Sequence, residues 1–155
     1  MKPKEQILVV NDEPCIRKYL RSVLEADGYH VETVSGGKDA ISKVANGDRP
    51  DFIILDLLMP EMGGIEALRE LMRLDRSLNI IMASCSTELD AITEAFRLGV
   101  RDYLVFPFEK GELQRAILGV KQGKQDRLRT NCWVERPVSR LSMETQIQFW
   151  ATLNL

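Results

Sequence analysis

The chain is poor in the residues that most metal, thiol and disulfide chemistry needs. It has one histidine, His30, and three scattered cysteines, Cys15, Cys85 and Cys132, in 155 residues. There is no C-x-x-C pair and no His/Cys cluster, so neither a zinc site nor a disulfide framework is expected. The cysteines read as reduced, buried thiols of a cytoplasmic protein. His30 falls beside an expected strand without partners and reads as structural or solvated. No apolar run is long enough to span a bilayer. Met1-Lys2-Pro3-Lys4-Glu5 leads straight into a strand, so no signal peptide is expected. An excess of one charge is lacking too. The 21 basic and 23 acidic residues leave a formal charge of −2, which argues against direct nucleic-acid binding by the chain as a whole.

What is present is an ordinary globular composition, 45% hydrophobic and 28% charged, suited to one domain with a short appendage. Gln6-Ile7-Leu8-Val9-Val10 reads as a strand ending at Asn11-Asp12-Glu13-Pro14. Ile16, Tyr19, Leu20, Val23 and Leu24 then recur at helical spacing up to Asp27-Gly28. Tyr29 to Val34 alternates like a half-exposed strand, and Lys38 to Ala45 reads as a second helix. Asp51 to Asp56 is a nearly continuous apolar run, the mark of a strand buried on both faces. A helix from Ile65 to Leu74, a strand from Asn79 to Ala83 and a helix over 89–98 closed by Gly99 follow. A strand from Asp102 to Phe106 and a helix carrying Leu113, Ala116, Ile117 and Val120 complete the pattern. Five alternations of strand and helix with short connections predict a parallel sheet covered by helices on both faces.

After Val120 the character changes. Residues 121–129 are polar and basic, and 130–155 hold both tryptophans, Trp133 and Trp150. The reading divides the chain into a domain at 1–122 and a linker with a short helical or irregular extension at 123–155. Ser142 is placed to cap a short helix from Met143 to Leu153. Such a segment is too small for its own core and too aromatic for a free tail, so docking on the domain, a second copy or a partner is expected.

The chemistry is expected where strands end. In a parallel sheet of this kind ligands bind outside the carboxyl ends of the strands. The first strand delivers Asn11 and Asp12, the third Asp56, the fourth the Ser84 hydroxyl, and the fifth Phe106 with Pro107 behind it. Any one of these reads alone as a turn residue or a cap, but three polar groups at matching strand ends point to a site. Two carboxylates at one mouth repel, and a hard divalent cation such as Mg²⁺ relieves this. A carboxylate beside such an ion can act as a nucleophile toward phosphorus and become an acyl phosphate. Ser84 is placed to donate to a phosphoryl oxygen. Ser35-Gly36-Gly37-Lys38 lacks the phosphate-loop spacing and reads as a turn into a helix.

Ile7-Leu8-Val9-Val10-Asn11-Asp12-Glu13-Pro14, Asp56-Leu57-Leu58-Met59-Pro60-Glu61-Met62-Gly63-Gly64, Ile80-Ile81-Met82-Ala83-Ser84 and Asp102-Tyr103-Leu104-Val105-Phe106-Pro107-Phe108 together resemble the response-regulator receiver domain. This is the phospho-accepting module of two-component signalling, and the match covers about residues 5–122. The resemblance implies a flavodoxin-like (βα)5 sandwich with strand order 2-1-3-4-5. It implies that Asp56 accepts phosphate from a histidine kinase or phosphotransfer protein, with Mg²⁺ held by Asp12, Asp56 and the backbone carbonyl of Leu58. Ser84 becomes the switch hydroxyl and Tyr103 the aromatic that moves with it. The resemblance also implies a homodimer face along the fourth helix, fifth strand and fifth helix, here bearing Leu89, Ile92, Arg97, Arg101, Glu112 and Arg115. The extension is the other candidate for holding two copies together.

Two positions depart from that pattern. Asn11 stands where an acid is usual in the metal site, and Phe106 where a lysine precedes Pro107. Losing one negative and one positive charge leaves the net charge of the site unchanged. An ammonium near a phosphoryl oxygen nevertheless carries on the order of 4 kcal/mol of raw Coulomb energy at 4 Å and an effective dielectric constant of 20, which Phe106 cannot supply. Weakened Mg²⁺ binding is therefore expected, with phosphorylation slow or differently coupled to the switch, and with Phe106 filling the rim of the site and biasing the Ser84–Tyr103 switch without phosphate. The alternative function is a degenerate receiver that binds proteins without phosphorylation. An aspartyl-phosphate phosphatase or phosphotransferase is disfavoured, because the second acid it needs two residues after the nucleophile is Leu58. The reading is thus of a signalling module and not an enzyme.

Overall fold

The computed structural model describes residues 2–123. Its elements run β1 (Gln6–Val10), α1 (Pro14–Ala26), β2 (His30–Val34), α2 (Gly37–Ala45), β3 (Phe52–Leu55), α3 (Gly64–Leu74), β4 (Ile80–Ser84), α4 (Leu89–Leu98), β5 (Asp102–Val105) and α5 (Lys110–Lys121). All five strands are parallel, in the order β2-β1-β3-β4-β5. This is the flavodoxin-like sandwich that the alternation predicts.

Strand alternation splits the apolar residues between two layers. Leu8, Val10, Ile53, Leu55, Met82 and Tyr103 face α2, α3 and α4 and pack on Ala40, Leu68, Leu71 and Ile92. Ile7, Val9, Ile54, Ile81 and Leu104 face α1 and α5 and pack on Leu20, Leu24, Leu113 and Ile117. The central strands β3 and β4 are buried at every residue, which is why their sequences show no polar alternation. Each such Leu or Ile contributes about 1.5–3 kcal/mol by leaving water.

Several boundaries and burials differ from expectation. β3 closes at Leu55, so Asp56 lies just beyond the strand. α5, expected only from its apolar positions, begins at Lys110, where the Glu109 N–H donates to the Glu112 carboxylate at 3.0 Å and fixes the start. Its far end is anchored by Lys121, which pairs with Glu5 and lies 4.9 Å over the Tyr29 ring. Cys15 and Cys85 are exposed rather than buried. Both stand in or beside loops at helix starts, where the backbone leaves the sheet. Ile92 is 5% exposed and belongs to the core, so it drops out of the proposed dimer face, while Leu89 is exposed. Readings that concern Cys132, Ser142, the helix over 143–153 and the rest of 124–155 lie outside the described residues.

Candidate functional site

Parallel pairing brings the strand ends to one edge. Val10 lies opposite Leu55, Leu55 opposite Met82, and Ser84 opposite Val105. The residues that follow therefore lie at one rim, and the backbone at Asn11, Asp12, Asp56, Ser84 and Phe106 reaches that edge. Asp56 enters it as its N–H donates to the Val10 carbonyl at 3.0 Å.

Asp56 is 9% exposed. Burial pushes its carboxyl up from an ordinary 3.8 to about 6, and the neighbouring Asp12 carboxylate adds to this. The Leu58 N–H, 3.2 Å from Oδ1, and the Ser84 hydroxyl work the other way by donating to the carboxylate. The donors are too few to offset burial, and no cation contributes. An acid held in that state favours an arriving positive charge.

Asn11 is buried and tied down at three atoms. Its N–H donates to the Val34 carbonyl at 3.2 Å, its Oδ1 accepts the Glu13 N–H at 2.9 Å, and its carbonyl accepts from the Arg17 guanidinium at 2.7 Å. The side chain thus shapes the turn that presents Asp12, which itself is partly exposed. The sequence reading missed Arg17; its only signal is a basic residue four positions after Glu13.

Phe106 does not fill the rim. It is 5% exposed and sits in the layer under α1 and α5, its ring centroid 4.4 Å from that of Phe108. Alternation along β5 explains this, because Phe106 shares parity with Leu104, while Tyr103 faces the opposite layer. An apolar ring gains more from that core than from a water-facing mouth.

Tyr103 is fully buried. Its hydroxyl donates to the Ser86 carbonyl at 2.9 Å and competes with the Asp56 carboxylate for the single hydrogen of the Ser84 hydroxyl, while burial pushes its phenol up to about 12, so it stays neutral. Ser86 was not anticipated; the repeat of hydroxyls at 84 and 86 is the signal that could have found it. Cys85 lies between them, its thiol pushed up by partial burial and by the Asp56 carboxylate.

Among the described residues no group of three or more His, Cys, Asp or Glu is placed to hold a metal. Two neighbouring carboxylates nevertheless suit Mg²⁺, which keeps several of its waters and is bound by one or two carboxylates. They do not suit a transition metal that prefers nitrogen or sulfur.

A doubly wound parallel sheet with carboxylates and a hydroxyl at its carboxyl edge defines the α/β class whose ligands bind at that edge. Residues 7–118 match the family model described as the response regulator receiver domain, and the chain belongs to that family. It is 31% identical over 114 residues to the chemotaxis protein CheY of Thermotoga maritima, covering 73% of this chain and 94% of that one. It is 34% identical over 113 residues to sporulation initiation phosphotransferase F of Bacillus subtilis, covering 73% and 90%. The solved structure of response regulator protein TrrA from Thermotoga maritima in complex with Mg²⁺–BeF aligns with a TM-score of 0.67 at 30% identity. That alignment covers 76% of this chain and 97% of that one. No helix among the described residues is long and apolar enough to cross a membrane.

Proposed function

We propose that this chain accepts a phosphoryl group on Asp56 from a histidine kinase or a histidine phosphotransfer protein and passes the change to a partner. A carboxylate oxygen of Asp56 forms the new bond to phosphorus as the bond from phosphorus to the donor's imidazole nitrogen breaks. The observation that carries this reading is the placement of Asp56: buried at the sheet mouth, pushed up to about 6, beside Asp12 and within a hydrogen bond of Ser84.

Asp12, Asp56 and the Leu58 carbonyl are the ligands proposed for Mg²⁺. Asn11 adds its remaining lone pair, directly or through water. When bound, the ion neutralises the entering phosphoryl oxygens. Ser84 then donates to a phosphoryl oxygen, and Tyr103 holds the adjoining loop. The chain reads as a signalling module without turnover on small molecules, since Leu58 offers no second acid. A cytoplasmic setting, where such kinases deliver phosphate, accords with the absence of a spanning helix among the described residues.

Treatment with acetyl phosphate and Mg²⁺ is expected to add the mass of one phosphoryl group, and Asp56→Ala to abolish it. No mass gain in the parent, or the same gain in the variant, rejects the assignment.

One observation favours a second reading. Position 106 holds a phenylalanine packed in the apolar layer, so it supplies no ammonium to the phosphoryl group. A receiver that signals by protein contact alone predicts no acyl phosphate with either a small donor or a phosphorylated protein.

A further inference from the structure

We propose that Arg17 is a positioning residue for the metal-bearing turn: through the Asn11 carbonyl it fixes where Asp12 presents its carboxylate. The inference rests on the ligand set proposed above and extends it to a side chain of α1 outside that set.

Asn11, Asp12 and Glu13 lie between the end of β1 at Val10 and the start of α1 at Pro14. No strand or helix ladder frames them. Asp12 is partly exposed, and among the described residues its carboxylate has no hydrogen-bond or ion-pair partner. Its place is therefore set by the backbone on either side. After it, the Glu13 N–H donates to Asn11 Oδ1 at 2.9 Å, a turn closed by a short side chain. Before it, the Asn11 carbonyl accepts from the Arg17 guanidinium at 2.7 Å. That carbonyl belongs to the planar peptide unit joining Asn11 to Asp12. Arg17 thus holds the unit whose rotation would swing the Asp12 carboxylate away from the mouth.

The guanidinium had a nearer acid to choose. Glu13 stands four residues before Arg17, the favourable order for an ion pair along a helix. Among the described residues Arg17 forms no ion pair, and its side chain reaches past Glu13 to the carbonyl. A charge-assisted bond to a partly buried carbonyl is stronger than an exposed ion pair.

Two effects of Arg17 on a cation held by Asp12 have opposite signs. Its positive charge repels the ion, so losing the charge alone strengthens binding. Its bond orders the turn in advance, so losing the bond alone weakens binding, because the ion must then order the turn itself. Positioning is the larger effect, since no cation, Arg17 included, acts on the neighbouring Asp56 carboxyl.

The test uses the full chain, well below its unfolding temperature, as parent, Arg17→Met and Arg17→Lys. Arg21→Met is the control on the same helix, since Arg21 reaches Thr33 and Glu25 instead. Titration calorimetry reads Mg²⁺ affinity. Arg17→Met is expected to bind about tenfold more weakly. Arg17→Lys is expected to return to within about threefold of the parent, and Arg21→Met to match it. Affinity in Arg17→Met equal to or above the parent's overturns the proposal, as does an equal loss in Arg21→Met or an Arg17→Lys variant no tighter than Arg17→Met. The second measurement needs no metal: amide exchange at residues 11–13 is expected to speed by about three- to tenfold in Arg17→Met, and parent-like exchange overturns the proposal. If the parent binds no Mg²⁺, it is the ligand set that fails, and the exchange measurement still decides whether Arg17 holds the turn.

Discussion

The backbone of Gly64 presses on that of Asp56 so closely that a Cβ added to Gly64 stands 2.1 Å from the Asp56 carbonyl oxygen and 2.6 Å from the Leu57 α-carbon. The Gly64 N–H also donates to the Leu57 carbonyl at 2.8 Å. The first residue of α3 is thereby the clamp that fixes where the phospho-acceptor leaves its strand. Gly64→Ala is expected to cost more than about 3 kcal/mol, since both opposing atoms are backbone and cannot swing away. Urea unfolding of the variant checks this, and a cost under ~1 kcal/mol contradicts the clamp.

Asp56 sets a pH dependence whose sign follows from its raised pKa. Its folded-state value is about 6, against an ordinary 3.8. The folded chain holds the proton more tightly than the unfolded chain. Its contribution to stability is full below about pH 4 and is lost as pH rises through 6, with roughly 3 kcal/mol at stake. Asp56→Asn is therefore expected to raise the melting temperature at pH 7.5 and to leave it near the parent's at pH 4. Denaturation curves across that range check it; equal stability of the two proteins at pH 7.5 rules it out.

Phe106→Lys is expected to act twice. Removing the ring from its contact with Phe108 lowers stability by about 2–4 kcal/mol. A lysine stem that reaches the mouth from the same position brings an ammonium to the phosphoryl oxygens, raising the initial rate with acetyl phosphate and Mg²⁺ by about tenfold. Acyl-phosphate yield against time distinguishes the two effects. Equal rates and lifetimes in parent and variant discard the idea that Phe106 impairs the chemistry.

Asn11→Asp keeps an oxygen for the Glu13 N–H and adds a third carboxylate. Mg²⁺ affinity is expected to rise by about tenfold, while the metal-free protein loses roughly 1 kcal/mol near neutral pH to added repulsion. Titration calorimetry with Mg²⁺, paired with melts in a chelator, reads both. Unchanged affinity shows that position 11 does not face the ion.

Glu61, in the loop after Asp56, has φ of +67°, a region unfavourable to a residue with a Cβ. Glu61→Gly is expected to stabilise the fold by up to ~1 kcal/mol, partly offset by a freer unfolded chain. The midpoint of chemical denaturation checks the sign.

The sequence made the sheet legible because fully buried strands leave apolar runs that periodicity finds. It made Asp12, Asp56 and Ser84 legible because each closes such a run. It misplaced Phe106, since a side chain at a strand end can turn to the mouth or to the core, and the ring packs in the layer under α1 and α5 against Phe108. It missed Ser86 and Arg17 for a related reason. Their partners, Tyr103 and the Asn11 carbonyl, come from other elements or from a turn whose shape no local pattern encodes. The exposed thiols of Cys15 and Cys85 were misjudged because average burial says little about residues at helix entries.

By itself the order of residues determined the alternation of strand and helix, the two apolar layers and the gathering of carboxyl groups at one edge. Those properties follow from local periodicity and the geometry of parallel pairing. Tertiary structure alone decided how buried Asp56 is, where the Phe106 ring goes and that the Arg17 guanidinium closes on the turn before Asp12. Desolvation and hydrogen bonding depend on which distant atoms arrive alongside, and that is settled only when the layers close.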